Sequence, residues 1–184
     1  MTESDRLISK AQAGDRSALE QILTPLQSPV ALFLKRFVDE NDAHDIAQET
    51  FIQVVRKIKQ FQNKSTFKAW IFRIAYRQML NHQKSKANRR AASIHEQEVL
   101  TPGLGQEEIA EQKERTDILL RIIDSLPEHQ RQVIWFRIRE QLTFKEIAEI
   151  CELPLNTILS RMHQAKQFLV KKLKAAGIEM GVVS

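Results

Sequence analysis

An all-α architecture, two small helical domains on a flexible linker, follows from three features of the 184-residue chain. Apolar residues make up 42% and recur mostly at helical spacing, which supports helical cores. Glycine and proline are scarce, five each, and β-branched clusters are few, so strands are not expected. The helical pattern breaks from 91 to 106, where Pro102, Gly103 and Gly105 stand without a sustained apolar stripe. That break is read as the linker, with an outer limit near 116. The expected domains are then 1–90 and 107–178, with a tail at 179–184.

The elements follow in order. Ser4 to Ala13 reads as a short helix stopped by Gly14. Ser17 opens a second, carrying Ala18, Leu19, Ile22 and Leu23, and Pro25 and Pro29 bracket a turn before helix resumes from Val30 to Phe37. Asp42 is the expected N-cap of a helix from Ala43 to about Gln60, with Ile46, Ala47, Thr50, Val54 and Ile58 on its inner stripe. FQNKST reads as a loop, after which Ser65 or Thr66 caps a helix whose inner face is Phe67, Trp70, Ile71, Ile74 and Ala75. Helix returns near Glu107 and runs to Ser125. Ser125 and Glu128, then Thr143 and Glu146, each have capping-box spacing, and Leu153-Pro154 separates the last two helices.

Several function classes drop out. The five histidines (His44, His82, His95, His129, His163) lack ligand spacing, and no phosphate-binding glycine loop or nucleophile motif is present. No enzyme activity, metal or cofactor is expected. The single cysteine, Cys151, points to a reducing compartment and a buried small residue. No apolar run approaches the roughly 20 residues of a membrane span, and MTESDRLISK does not read as a signal peptide, so a cytoplasmic protein without membrane insertion is expected.

Charge is segregated along the chain. Residues 1–49 carry 5 bases and 9 acids; residues 50–95 carry 11 bases and no acid. Residues 96–128 reverse this with 9 acids and 3 bases, and residues 153–178 carry 5 bases and again no acid. Two acid-free basic blocks are the electrostatic footprint of two contacts with a polyanion. The second block coincides with a helix-turn-helix pattern. Its last helix buries Ile158, Met162, Ala165, Leu169 and Leu173, and turns Asn156, Thr157, Ser160, Gln164, Gln167 and Lys171 the other way. Most of these are short or amide side chains that suit base edges, with Arg161 and Lys166 on the flanks for phosphates.

These residues resemble a family. DAHDIAQETFIQV (Asp42–Val54) followed by KSTFKAWIFRIA (Lys64–Ala75) is similar to region 2 of the extracytoplasmic-function sigma factors. Ser125 to Lys166 is similar to their region 4, and AGDRSALEQIL (Ala13–Leu23) fits their opening helices. The resemblance implies a sigma factor that directs bacterial core RNA polymerase to promoter DNA and is held by an anti-sigma factor. It implies that Asp45, Gln48 and Glu49 meet the polymerase clamp. It places the melted minus-ten strand against Phe61, Gln62, Asn63 and Lys64, with Phe61 as a wall for a flipped base, and phosphates along Lys68, Arg73, Arg77, Lys84 and Lys86. Trp70 is assigned to the core. The minus-thirty-five duplex would meet Asn156, Thr157, Ser160, Arg161, Gln164, Lys166 and Gln167. Two positions depart from the pattern: Arg77 stands where an asparagine is usual and Leu159 where a lysine is usual. The alternative reading is a free-standing helix-turn-helix regulator with 1–95 as a ligand or dimer module.

Overall fold

The computed structural model describes the backbone at 2–91 and 118–176, and side chains at 2–89 and 118–176. The expected linker, the helix onset near Glu107 and the tail lie outside the described residues. No strand occurs among the described residues. The helices fall into two compact units, one N-terminal and one C-terminal.

Among the described residues the N-terminal unit has four α-helices. Helix α1 (Glu3–Gln12) opens on a capping box in which Thr2 and Asp5 bond each other's backbone N–H. It stops at Gly14, whose φ of 102° suits a residue without a Cβ. Asp15 then caps α2 (Arg16–Lys35) by accepting from the Ala18 N–H at 3.1 Å. Helix α2 continues through Pro25 and Pro29, so the expected turn does not form. Pro25 cannot donate to the Gln21 carbonyl, but both residues are exposed, so water can take the missing donor's place. Behind them Ile22, Leu23, Val30, Phe33 and Leu34 are buried and hold the helix to its neighbours.

Helix α3 (Glu40–Lys57) is capped by Asp39, which accepts from the Asp42 N–H at 3.0 Å. Asp42 is therefore inside the first turn, not at the cap as expected. The stripe Ala43, Ile46, Thr50 and Val54 is buried, and the hydroxyl of the fully buried Thr50 donates to the Ile46 carbonyl at 2.7 Å. A short 3₁₀ turn, Ile58–Gln60, leads to the loop 61–66. Thr66 then accepts from the Ala69 N–H and caps α4 (Phe67–Ala91). The most buried residues of α4 are Ala69, Ile71, Phe72, Ala75, Tyr76 and Met79, whereas Phe67, Trp70 and Ile74 are half-buried. The inner face is thus turned from the expected one. Phe72 meets Phe33 of α2 edge-on at 5.8 Å, a favoured aromatic geometry at the centre of this core.

In the C-terminal unit, α5 covers 118–124 of the described chain. Helix α6 (Glu128–Ile134) has Pro127 at its N-cap and no side-chain cap. The capping box expected of Ser125 and Glu128 is absent: Ser125 donates back to the Ile122 carbonyl and Glu128 accepts from Gln132. Helix α6 runs into a π turn, Trp135–Arg139, closed by the Glu140 N–H on the Trp135 carbonyl at 3.2 Å. The second capping box does form: Thr143 and Glu146 open α7 (Phe144–Cys151). Glu152 ends α7 in the left-handed region, φ 55°, and the Leu153 N–H returns to the Ala148 carbonyl. Pro154 starts α8 (Leu155–Ala175), an allowed place for a residue without an N–H. Val133, Phe136, Ile147, Ile158 and Ala165 are among the most buried side chains of the C-terminal helices.

Candidate nucleic-acid and polymerase interfaces

The loop 61–66 is held from below. The Gln12 amide of α1 donates to two carbonyls at the loop's entrance, Ile58 at 3.0 Å and Phe61 at 2.8 Å. Phe61 is buried, its ring 5.3 Å from Phe67 and 5.2 Å from Trp70. It forms the floor of the loop, so it can meet a flipped base only from beneath the loop. Phe67 and Trp70, stacked on each other at 5.7 Å, are half-buried. Gln62, Asn63 and Lys64 are exposed, and Asn63 takes a φ of 52°, a conformation asparagine tolerates better than most residues. Gln12 was missed from sequence, because a glutamine at a helix end gives no local sign of reaching a loop 46 residues on.

The bases of α4 divide into two rows. At 100° per residue, Arg73, Arg77 and Lys84 fall within an arc of about 40°, and Lys68 and Lys86 lie on the opposite side. Arg77 and Lys84 are exposed, and Arg73 and Lys68 half-buried, with the Lys68 ammonium 5.9 Å from the Phe72 ring centroid. Lys86 is tied up rather than presented for a phosphate. Its ammonium pairs with Asp39 and, at 2.7 Å, with Asp42, while His82 Nε2 lies 2.8 Å from the same Asp42 carboxylate. Lys86 holds the Asp39 carboxyl down to about 2, helped by the Asp42 N–H, and the two carboxylates raise the Lys86 ammonium.

On α3 the face opposite the buried stripe carries Asp45, Gln48 and Glu49, with Asp45 and Gln48 exposed and Glu49 half-buried and accepting from Gln53 at 2.8 Å. Two apolar residues share this face: Ile52, 45% exposed, and Val55, 47% exposed. They were not singled out from sequence, although their place off the buried period was there to be read. Exposed apolar side chains beside polar ones are a composition suited to a protein-binding patch.

On α8 the exposed arc opposes the buried Ile158, Met162, Ala165 and Leu173. A shallow groove of about 430 Å³ is lined by Asn156, Thr157, Ser160, Arg161 and Gln164, joined by His129 of α6. Five of the seven residues expected to meet duplex DNA are thus together; Gln167 and Lys166 are exposed but outside the groove. His129 had been set aside as a scattered histidine. Gln130 of α6 donates to the Gln164 side-chain oxygen at 3.3 Å and orients that amide. Among the described residues no cluster suited to a metal ion occurs, and no helix is long and apolar enough to cross a membrane.

Comparison with known proteins fits this division. Residues 23–89 match the family Sigma-70 region 2, and residues 116–169 match Sigma-70, region 4. An ECF RNA polymerase sigma-E factor of Haemophilus influenzae is 30% identical over 181 residues, covering 91% of this chain and 94% of that relative. The ECF RNA polymerase sigma-E factor of Escherichia coli (strain K12) is 30% identical over 177 residues, covering 91% and 93%. The chain belongs to the extracytoplasmic-function sigma factors. It is a transcription initiation factor of the sigma-70 family, which disfavours the free-standing regulator. Two solved structures share the fold: one is CnrH, in complex with the cytosolic domain of CnrY, at TM-score 0.64 and 20% identity over 94% of this chain and 99% of that one. The other is RpoE of Bartonella quintana, in complex with the anti-sigma factor NepR, at TM-score 0.69 and 21% identity over 85% and 96%.

Proposed function

We propose that this sigma factor binds core RNA polymerase through the α3 face and grips one promoter at two places. The α3 contact is Asp45, Gln48 and Glu49 around Ile52 and Val55. Gln62, Asn63 and Lys64 capture the melted minus-ten strand, and the row Arg73, Arg77 and Lys84 follows its phosphates, with Lys68, on the opposite side of α4, meeting a separate phosphate. The α8 groove, with Arg161 and Lys166 on its flanks and Gln167 a turn beyond, docks on the minus-thirty-five duplex. The domains proposed for these roles are 1–90 and 107–178, joined through 91–106. The observation that carries the reading is the acid-free α8 with its polar groove, in a chain matched by both sigma-70 regions. Because the two fold neighbours were solved with an anti-sigma factor or a cytosolic domain bound, an anti-sigma partner acting in the cytoplasm belongs to the same reading; the response to stress or an envelope signal rests on the family resemblance alone.

Run-off transcription tests it. The purified chain added to bacterial core polymerase on fragments of its own genome is expected to give discrete start sites absent with core alone. Transcripts unchanged by the chain would refute the proposal.

A further inference from the structure

The exposed arc of α8 is not wholly polar. Leu155 is 44% exposed and Leu159 41%, one helical turn apart. At 100° per residue they form an edge of the arc beside Asn156 and Ser160, on the side away from Arg161. Lys166 continues this edge toward the C-terminus, so the leucines and this cation share one border of the row of hydrogen-bonding side chains. The helix carries no acid, and its bases are Arg161, Lys166, Lys171, Lys172 and Lys174.

Two leucines held open to water at the start of a recognition helix call for an apolar occupant. A protein partner would have to bury these leucines beside an acid-free polar arc bounded by cations, unlike the acid-bearing face of α3. Duplex DNA meets all three parts of the surface. Its phosphates suit the flanks, its base edges suit Asn156 and Ser160, and its major groove holds one apolar group, the thymine C5-methyl. The first turns of a recognition helix are also the part that reaches base edges.

We propose that Leu155 and Leu159 read thymine C5-methyl groups in the upstream duplex element, making this edge of α8 a specificity determinant by apolar contact. The proposal rests on the sigma-factor reading above and adds the chemistry of what α8 recognises.

The test uses the holoenzyme of the full chain with bacterial core polymerase. An upstream element is first recovered from a randomised duplex library, and each thymine in it is then replaced by deoxyuridine, which removes the methyl and leaves the pairing edge intact. At one or two positions the wild-type holoenzyme is expected to lose about 4-fold in affinity, the worth of one buried methyl-sized group. Leu159→Ala or Leu155→Ala should abolish the difference at one such position, whereas Asn156→Ala should keep it while weakening binding. Leu159→Lys should also abolish it and steepen the log–log salt dependence by about 0.9, one added phosphate contact. An element without thymine, equal affinity for both bases at every position, or discrimination that survives both leucine replacements overturns the proposal. A holoenzyme that selects no upstream sequence at all refutes the sigma-factor reading itself, and this inference with it.

Discussion

Lys86 shows how a single residue can be misread from its neighbours in sequence. It stands in an acid-free run, and by composition it belongs with the phosphate-tracking bases. In the fold it closes on Asp39 and Asp42, more than forty residues earlier, and ties the start of α3 to the far part of α4. The pairing has a pH signature. The Asp39 carboxyl is lowered from 3.8 to about 2, so its contribution is present above about 3.8 and is lost as pH falls toward 2. The raised Lys86 contributes below its ordinary 10.5 and loses that contribution as pH rises through its higher folded value. Asp39 is about half exposed, so solvent screening keeps the effect near 1 kcal/mol or less. Lys86→Met should therefore lower the Tm slightly at pH 7 and flatten the Tm-against-pH curve between pH 4 and 2. An unchanged acid limb would show that the pair is not stabilising. Promoter binding should change little, in contrast to Arg77→Ala or Lys84→Ala.

At the scale of the element, α2 is the case where a strong local rule was overridden. Pro25 and Pro29 signal a turn, yet the helix passes through both. The apolar face of α2 is buried on both sides of the prolines, at Ala18, Ile22 and Leu23 and again at Val30, Phe33 and Leu34, and breaking the helix would pull part of that face out of the core. An interior proline costs about 3 kcal/mol, and restricting the unfolded chain returns up to about 1. Pro25→Ala is therefore expected to stabilise the N-terminal unit by about 2 kcal/mol in urea unfolding. A loss of stability would mean that Pro25 contributes native contacts that its exposed position does not suggest. The capping boxes were decided the same way. Thr143 and Glu146 close theirs, whereas Ser125 bonds back into the preceding helix and leaves α6 to start after Pro127.

For the molecule as a whole, charge and apolar exposure assign different faces to different partners. The basic row of α4 and the acid-free α8 suit nucleic acid, and the α3 face, acidic toward its N-terminal end and apolar toward its C-terminal end, suits protein. Reversing Asp45 and Glu49 together to lysine, or replacing Ile52 and Val55 by alanine, should weaken core-polymerase binding by about fivefold or more in a competition assay. Stability should stay within about 0.5 kcal/mol, since these side chains pack on little of the core. Retained affinity in both variants would remove this face from the polymerase interface.

The sequence by itself determined the helical class, the division of charge, the helix-turn-helix with its Thr143 cap, and most of the α8 groove. Each of these is a local or periodic signal: spacing every three to four residues, a cap three residues from its partner, a run without acids. Tertiary structure decided what long-range packing controls. It sent Phe61 beneath its loop and turned α4 so that Phe72 and Tyr76 face inward. It took Lys86 for an ion pair, and it brought Gln12 and His129 to surfaces that lie far from them along the chain. The physical reason is the same each time: a side chain's role is set by whatever other segment fills the space around it, and spacing along the chain does not encode that neighbour.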